Sequence, residues 1–194
     1  MARVIAGEAG GRRLAVPDGR GTRPTSDRAR EGLFATIVSL TGSLDGARVL
    51  DLYAGSGAVG LEALSRGAEH VLLVESGPRA ARVIRDNIEA IGLAGAEVLT
   101  DRVERVLARG PEHGRYDVVF ADPPYALAGD EVSAMLQTLG DHGWLAPGAL
   151  VIVERATRSG PVSWPVGIEP DRARRYGEAT FWYGRAPYNL LAEP

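Results

Sequence analysis

The chain has 194 residues, a length that predicts one domain with at most a short appendage. It contains no cysteine, which excludes thiolate zinc sites, thiol nucleophiles and disulfides, and its three histidines lack metal-ligand spacing, so we expect no metal. All 22 cationic residues are arginine, and residues 1–35 hold seven of them against four acidic residues, so the net charge of −3 conceals a basic N-terminal segment.

The start of the chain predicts a small hairpin, a loop and a helix. Two short apolar stretches within residues 3–16 are separated by glycines, which indicates two strands joined by a turn. Residues 19–24 are rich in glycine and arginine and predict a loop. A helix then begins at one of the capping residues 25–27 and ends near Gly42. We interpret residues 1–42 as an N-terminal arm.

The remaining residues, 43–194, alternate strands with helices and predict the main domain. The predicted strands occupy residues 48–52, 71–75, 97–99, 116–121 and 149–154. The predicted helices follow them, the first ending at Arg66 and the others covering residues 78–91, 101–109 and 130–140. This alternation predicts an α/β fold with a doubly wound, mostly parallel Rossmann-like sheet. Two further strands, at 172–177 and 179–184, predict an antiparallel hairpin at the sheet edge.

A glycine-rich turn follows the first strand of the main domain. Residues 55–60 have glycine at the first, third and sixth positions, which is the spacing of dinucleotide-binding turns. Glu75, at the end of the next predicted strand, lies twenty residues beyond Gly55. Glycine lets a ligand approach the backbone closely, and a carboxylate at that distance accepts hydrogen bonds from ribose hydroxyls. The pattern predicts a site for an adenosine-type nucleoside.

Asp51 indicates which nucleoside compound binds there. The pyrophosphate of a nicotinamide dinucleotide is anionic, so a carboxylate just before the turn would repel it, whereas S-adenosylmethionine brings a cationic ammonium and a cationic sulfonium. We therefore expect S-adenosylmethionine as the cofactor and methyl donor. Asp101, after the third strand, either meets the adenine amine or caps a helix. The predicted donor-binding residues are Asp51, Tyr53, Ala54, Gly55, Ser56, Gly57, Glu75, Asp101 and Arg102.

A tetrapeptide of aspartate, two prolines and tyrosine follows the fourth strand, at the edge where open sheets bind ligands. It suits a planar, conjugated amine, whose nitrogen is a poor nucleophile because its lone pair is delocalised into the ring. Hydrogen bonds from the amine to Asp122 and to the Pro123 carbonyl would localise that lone pair. The prolines fix the backbone, and the tyrosine offers a flat face for an extruded base. The predicted catalytic residues are Asp122, Pro123, Pro124 and Tyr125.

The turn with Asp51, the acid Glu75 and the tetrapeptide together resemble the methyltransferases that modify exocyclic amines of bases. A closer resemblance covers nearly the whole chain: it is similar to the RsmD-like family of bacterial 16S ribosomal RNA guanine-N(2) methyltransferases. The stretches that carry it are Gly11-Arg12-Arg13-Leu14 with Pro17, Thr22-Arg23-Pro24-Thr25-Ser26-Asp27 with Arg30-Glu31 and Phe34, Leu61-Glu62-Ala63-Leu64-Ser65-Arg66-Gly67-Ala68, and Tyr176-Gly177 before the last strand.

This resemblance implies transfer of a methyl group from S-adenosylmethionine to the 2-amino group of one guanine in 16S rRNA, in the assembled small ribosomal subunit. The basic arm would then contact RNA, because arginine pairs with phosphate oxygens through two hydrogen bonds. The predicted RNA-binding residues are Arg12, Arg13, Arg20, Arg23, Arg28 and Arg30. Arg23 could instead contact the carboxylate of the donor, and the cations and aromatic residues of 172–183 are a second candidate for RNA contact.

The expected location is the cytoplasm, and the expected oligomeric state is a monomer. The first residues show no basic segment followed by an apolar one, as a signal peptide would. No apolar run approaches the ~18 residues that a membrane span needs.

Other enzymes share parts of this pattern. A DNA adenine methyltransferase acts on a similar amine, but this chain has no inserted domain to read duplex sequence. In protein glutamine methyltransferases asparagine normally stands in the place of Asp122, and an oxidoreductase using a nicotinamide dinucleotide conflicts with Asp51. The residues alone leave open the choice between guanine and adenine, and between naked rRNA and an assembled subunit.

Overall fold

The computed structural model describes residues 1–19 and 25–188. The helices are α1 (Asp27–Thr41), α2 (Ala58–Ser65), α3 (Pro78–Ile91), α4 (Val103–Arg109) and α5 (Gly129–Asp141), with a 3-10 turn at Thr157–Ser159. The strands are β1 (Ala2–Arg3), β2 (Arg13–Leu14), β3 (Arg48–Leu52), β4 (His70–Glu75), β5 (Ala96–Thr100), β6 (Tyr116–Ala121), β7 (Leu145–Ala156), β8 (Glu169–Tyr176) and β9 (Ala179–Arg185). In the described part of the chain, no helix is long and apolar enough to cross a membrane.

The chain divides into two compact units, Met1–Val103 and Glu104–Pro194. In the first unit, three parallel strands lie in the order β5-β4-β3, with Val71 of β4 opposite Val49 of β3 and Ala96 of β5. Parallel strands end at the same edge of a sheet, so the residues that follow β3 and β4 are neighbours. The predicted boundary between arm and main domain at residue 42 stays a prediction.

Helix α2 packs closely on the strands of the first unit. All eight of its residues are buried. A Cβ atom at Gly60 would lie 2.8 Å from the side chains of both Leu73 and Val71, so only glycine allows the helix to lie this close to β4.

The predicted N-terminal hairpin is confirmed, and it is fastened to α2. The buried Glu62 accepts hydrogen bonds from the backbone N–H groups of Ile5, at 2.8 Å, and Ala6, at 3.1 Å. A Cβ atom at Gly7 would lie 1.9 Å from the backbone oxygen of Ser65, so a larger residue would force the hairpin away from the helix. The arm therefore rests on the helix that follows the glycine-rich turn.

Helix α1 follows its predicted signals. Its N-cap is Ser26, whose hydroxyl accepts from the N–H of Ala29 at 3.1 Å, and Gly42 ends it with a φ of 84°. Leu33, Phe34 and Ile37 form its buried face.

The second unit has two parallel strands followed by an antiparallel hairpin. Ala121 of β6 lies opposite Val153 of β7, and β9 pairs antiparallel with both β7 and β8. The parallel strands, the alternating helices and the terminal hairpin confirm the predicted α/β fold class. Strand β7 is longer than the predicted 149–154, because pairing with β6 begins at Leu145 and pairing with β9 extends to Ala156.

Candidate functional site

The chain leaves β3 through a turn of left-handed residues. Tyr53 has a φ of 58°, unusual for a residue with a side chain, while Gly55 and Gly57 have φ values of 58° and 80°. A Cβ at Gly57 would lie 3.1 Å from Leu73 and 3.2 Å from Ile84, whereas a Cβ at Gly55 would meet no atom within 4 Å. Gly57 therefore faces the core of the first unit, and Gly55 presents an open backbone on which a ligand could lie.

Glu75 holds this turn in place. One of its carboxylate oxygens accepts from the N–H of Gly55 at 3.0 Å, and the other accepts from the N–H of Gly77 at 2.7 Å. The carboxylate thus ties the turn after β3 to the loop after β4. A carboxylate has about four acceptor positions, so two remain for hydroxyl donors of a ligand.

Asp51 is buried beneath the start of α2. Its Oδ2 accepts from the N–H of Gly60 at 2.9 Å. Burial raises the pKa of this carboxyl to about 8; the bond from Gly60 opposes that rise, and the negative charge of Glu75 adds to it. In the protein without ligand the carboxyl is therefore mostly protonated at neutral pH. A cation bound nearby would favour the ionised form.

Most of the other predicted donor-binding residues lie between these two acids in sequence, and Asp101 and Arg102 follow β5. Ser56 is buried, and its backbone oxygen accepts from the side chain of Asn87 at 2.9 Å. After β5, the Oδ1 atom of Asp101 accepts from the N–H of Arg102 at 2.8 Å, one residue before α4 begins.

Asn87, which the sequence did not single out, joins the arm to the turn. Its side-chain amide donates to the backbone oxygens of Ala15 and Ser56, both at 2.9 Å, and its oxygen accepts from the N–H of Ala15 at 2.8 Å. A buried asparagine on the apolar face of α3 was the available signal, because such a group needs partners.

A tight turn over residues 124–127 begins with the last two residues of the tetrapeptide, Pro124 and Tyr125. The N–H of Leu127 donates to the backbone oxygen of Pro124 at 2.9 Å, which closes a four-residue turn. Pro123 is buried and Asp122 is half-buried. Tyr125 is 54% exposed and offers a ring to the surroundings.

A buried arginine of β7 supports that turn, and sequence reasoning missed it. Arg155 donates from Nη1 to the backbone oxygen of Pro124 at 3.3 Å and from Nη2 to that of Leu127 at 2.7 Å. The sequence signal for this contact was the presence of two adjacent charged residues, 154–155, in an otherwise apolar strand.

The arginines of the arm occupy different environments. Arg12, Arg13 and Arg28 are exposed, and Arg12 also donates from Nη1 to the backbone oxygen of Ile91. Arg30 is buried: it donates to the backbone oxygens of Arg3 and, at 3.2 Å, Thr25, and forms an ion pair with Asp27 at 3.1 Å. These contacts join β1 to α1. The predicted RNA-binding residues Arg20 and Arg23 lie outside the described residues.

The terminal hairpin divides its cations and aromatic residues between surface and core. Arg174 and Arg175 are exposed, whereas Phe181 and Tyr183 are buried. The ring of Tyr176 lies 5.6 Å from that of Phe181. In the described ranges, no group of three or more histidine or acidic side chains is arranged to hold a metal ion.

Comparison with known proteins identifies relatives that match most of the chain. A family model described as conserved hypothetical protein 95 matches residues 2–185. The chain is 36% identical over 180 residues to ribosomal RNA small subunit methyltransferase D of Escherichia coli (strain K12), covering 92% of this chain and 87% of the relative. It is also 36% identical over 154 residues to the protein of that name from Haemophilus influenzae, covering 78% and 77%.

Solved structures agree with this result. The yhhF protein of Escherichia coli superposes with a TM-score of 0.83 at 31% identity, covering 96% of this chain and 98% of the other. A hypothetical protein of Thermus thermophilus, TTHA0928, superposes with a TM-score of 0.78 at 33% identity, covering 94% and 98%.

Proposed function

The chain belongs to the family described as conserved hypothetical protein 95, and we propose that it transfers a methyl group from S-adenosylmethionine to the 2-amino group of a guanine in 16S rRNA. The named activity of its relatives, small-subunit ribosomal RNA methylation, supports the substrate class. Guanine as the base and the assembled subunit as the substrate follow from the family resemblance.

The observation on which the proposal rests is the turn of residues 124–127, which begins with Pro124 and Tyr125 of the tetrapeptide and is held by two hydrogen bonds from Arg155. Methyl transfer to an exocyclic amine forms an N–C bond, breaks a C–S bond and releases one proton from nitrogen. The nitrogen must therefore be held with its lone pair directed at the methyl carbon, which is a task of positioning. The carbonyl of Pro124 accepts from Leu127 and Arg155, and we assign the amine protons to the Asp122 carboxylate and the Pro123 carbonyl.

Tyr125 completes the proposed base-binding residues. Its ring is more than half exposed, so a base turned out of an RNA strand can stack on it. Stacking of a base on an aromatic side chain contributes about 1–3 kcal/mol and does not distinguish one base from another. The tyrosine would thus hold the base while Asp122 and Pro123 orient its amine.

The proposed donor-binding residues belong to the first unit. S-adenosylmethionine supplies a methyl carbon activated by a positively charged sulfur. Gly55 leaves its backbone open to such a ligand, and Glu75 would accept from the ribose hydroxyls with the positions that its two amide bonds leave. Asp51 would ionise as the cationic part binds. The rest of the proposed donor-binding set consists of Tyr53, Ala54, Ser56, Gly57, Asp101 and Arg102.

The proposed RNA contacts lie on the arm. Arg12, Arg13 and Arg28 are exposed and would bind phosphates, as would Arg20 and Arg23. Arg30 belongs to the same predicted set, but its buried guanidinium would support the arm's fold rather than bind a phosphate. We further propose that residues 1–42 act as the RNA-binding arm of a monomeric, cytoplasmic enzyme.

Transfer of labelled methyl from S-adenosylmethionine tests this function directly. The substrates are small ribosomal subunits lacking the modification, naked 16S rRNA and duplex DNA, and the labelled nucleoside is identified by mass spectrometry. We expect N(2)-methylguanine in ribosomal RNA, formed far more slowly with Asp122→Ala and at an unchanged rate with Asp141→Asn, an exposed acid of the same unit. Label in DNA adenine would overturn both the base and the substrate, and label equal in subunits and naked rRNA would overturn the subunit preference.

A further inference from the structure

Arg155 is a buried cation whose donors are directed at backbone oxygens. It is 7% exposed, and within the described ranges no carboxylate forms an ion pair with it. Burial of a charge is unfavourable unless hydrogen bonds compensate it. Its compensation comes from the carbonyls of Pro124 and Leu127, so the arginine and the turn depend on each other.

The register of β6 and β7 brings Arg155 to this position. Val153 lies opposite Ala121, the last residue of β6, and Arg155 is two residues further along β7. Arg155 therefore stands beyond the last paired residue of β6, and its guanidinium reaches the turn of residues 124–127. The two carbonyls that it binds stand at the first and fourth positions of that turn.

The bridge that Arg155 makes between the two carbonyls acts on the residues that would hold the base. Tyr125 is 54% exposed, and the peptide groups on either side of it set the direction in which its side chain leaves the backbone. The carbonyl of Pro124 belongs to the peptide group that joins it to Tyr125, and fixing that oxygen fixes the peptide plane. The forked guanidinium donates to the two carbonyls from two separate nitrogens, whereas all the donors of a lysine ammonium leave a single nitrogen.

We propose that Arg155 is a positioning residue for methyl transfer, which sets the orientation of Asp122 and Tyr125 by bridging the carbonyls of Pro124 and Leu127. This assignment rests on the function proposed above. A misplacement of about 1 Å at a reacting centre can cost about 10²-fold in rate. Loss of the bridge should therefore lower turnover while leaving the affinity for S-adenosylmethionine unchanged.

The test uses Arg155→Met, which keeps an aliphatic side chain and removes the donors, and Arg155→Lys, which keeps the charge but donates from a single nitrogen. Arg158→Met, at an exposed arginine of the following 3-10 turn, is the matched control. With saturating S-adenosylmethionine and unmodified small subunits, we expect kcat to fall about 10²-fold for Arg155→Met, less for Arg155→Lys and not at all for the control.

Two further readouts separate positioning from a general effect on folding. If Arg155 acts through the tetrapeptide, the double variant Arg155→Met with Asp122→Ala should have a kcat less than about threefold below that of Asp122→Ala alone. If the two residues act independently, the losses of the two single variants would multiply. Fluorotyrosine placed at position 125 should give one narrow fluorine resonance in the otherwise unchanged protein and in Arg158→Met, and a broadened or split one in Arg155→Met.

The outcomes are distinct for the two proposals. An unchanged kcat and fluorine spectrum in Arg155→Met, or multiplicative losses with Asp122→Ala, would overturn the role of Arg155. If the natural protein methylates no ribosomal RNA, the proposed function fails, while the fluorine spectra still decide whether Arg155 orients the turn. Should Arg155→Met not fold, Arg155→Lys decides by the same measurements, and a wild-type spectrum and kcat there would count against the two-donor bridge.

Discussion

Replacing Asp51 with asparagine should change how the stability of the protein depends on pH. Asparagine keeps the size of the side chain and an oxygen that can accept from Gly60, but it cannot ionise. The pKa of Asp51 rises from 3.8 to about 8 because the carboxyl is buried. Between those two pH values the folded protein holds a proton that the unfolded chain releases, so the natural protein loses stability as pH rises.

The magnitude follows from the size of the pKa shift. The contribution of Asp51 to stability is fully present below pH 3.8, falls as pH rises, and is lost above about pH 8. Each pH unit inside this window costs about 1.4 kcal/mol, so the whole window of about four units amounts to about 6 kcal/mol, an upper bound because the denatured chain is not fully solvated. Asp51→Asn lacks this loss, so its stability relative to the natural protein should rise steadily from pH 5 to pH 8.

Urea unfolding at pH 5, 6, 7 and 8, followed by tryptophan fluorescence, measures the difference in free energy of unfolding between Asp51→Asn and the natural protein. Asp86→Asn, at an exposed acid of α3, serves as the control and should leave the pH slope of the natural protein unchanged. A protonated, buried Asp51 would be refuted if the free energies of unfolding of the natural protein and of Asp51→Asn changed equally with pH. It would also be refuted if the natural protein became more stable relative to the variant toward pH 8.

Three further predictions concern the acceptor site, the arm and the tether between the arm and the donor site. Asp122→Ala should lower kcat by about 10²–10³-fold while the Kd for S-adenosylmethionine, measured by calorimetry, changes less than about twofold; a collapse of that affinity would contradict the assigned role. Arg23→Ala combined with Arg28→Ala should weaken RNA binding and reduce the slope of log K against log salt by about 1–2, and an unchanged slope would exclude both as phosphate contacts. Asn87→Ala leaves two backbone oxygens and one N–H without their partner, so urea unfolding should show a loss of about 3 kcal/mol, and a loss below about 1 kcal/mol would show that the tether carries little stability.

Local signals predicted the elements that local chemistry controls. Strand β6 has the predicted bounds because its apolar run ends at the aspartate and prolines that follow. Helix α3 begins at Pro78 and ends before Gly92, as a proline in the first turn and a left-handed glycine require. The glycine-rich turn and the tetrapeptide likewise follow their strands as predicted.

Pairings between distant residues could not be predicted in the same way. The sequence around an arginine in a basic segment does not show whether its guanidinium binds a phosphate or a backbone oxygen. The sequence pattern therefore grouped Arg30 with the exposed cations, although Arg30 is buried and donates to the backbone oxygen of Arg3. Arg155 went unnoticed because its partners lie some thirty residues away in the chain. The location of a buried charge depends on the tertiary packing that surrounds it, which no local pattern encodes.

The two acids beside the glycine-rich turn, Asp51 and Glu75, each support the backbone of the protein in addition to any role in ligand binding. Asp51 accepts from Gly60, and Glu75 accepts from Gly55 and Gly77, so the two carboxyl groups hold the backbone that a nucleoside would touch. The same spacing that predicts a ribose acceptor therefore also predicts a clamp on the turn. Loss of donor affinity on truncating Glu75 would combine both effects, and only a substitution that keeps an acceptor toward Gly55 can separate them. The binding surface and its support are built from the same side chains.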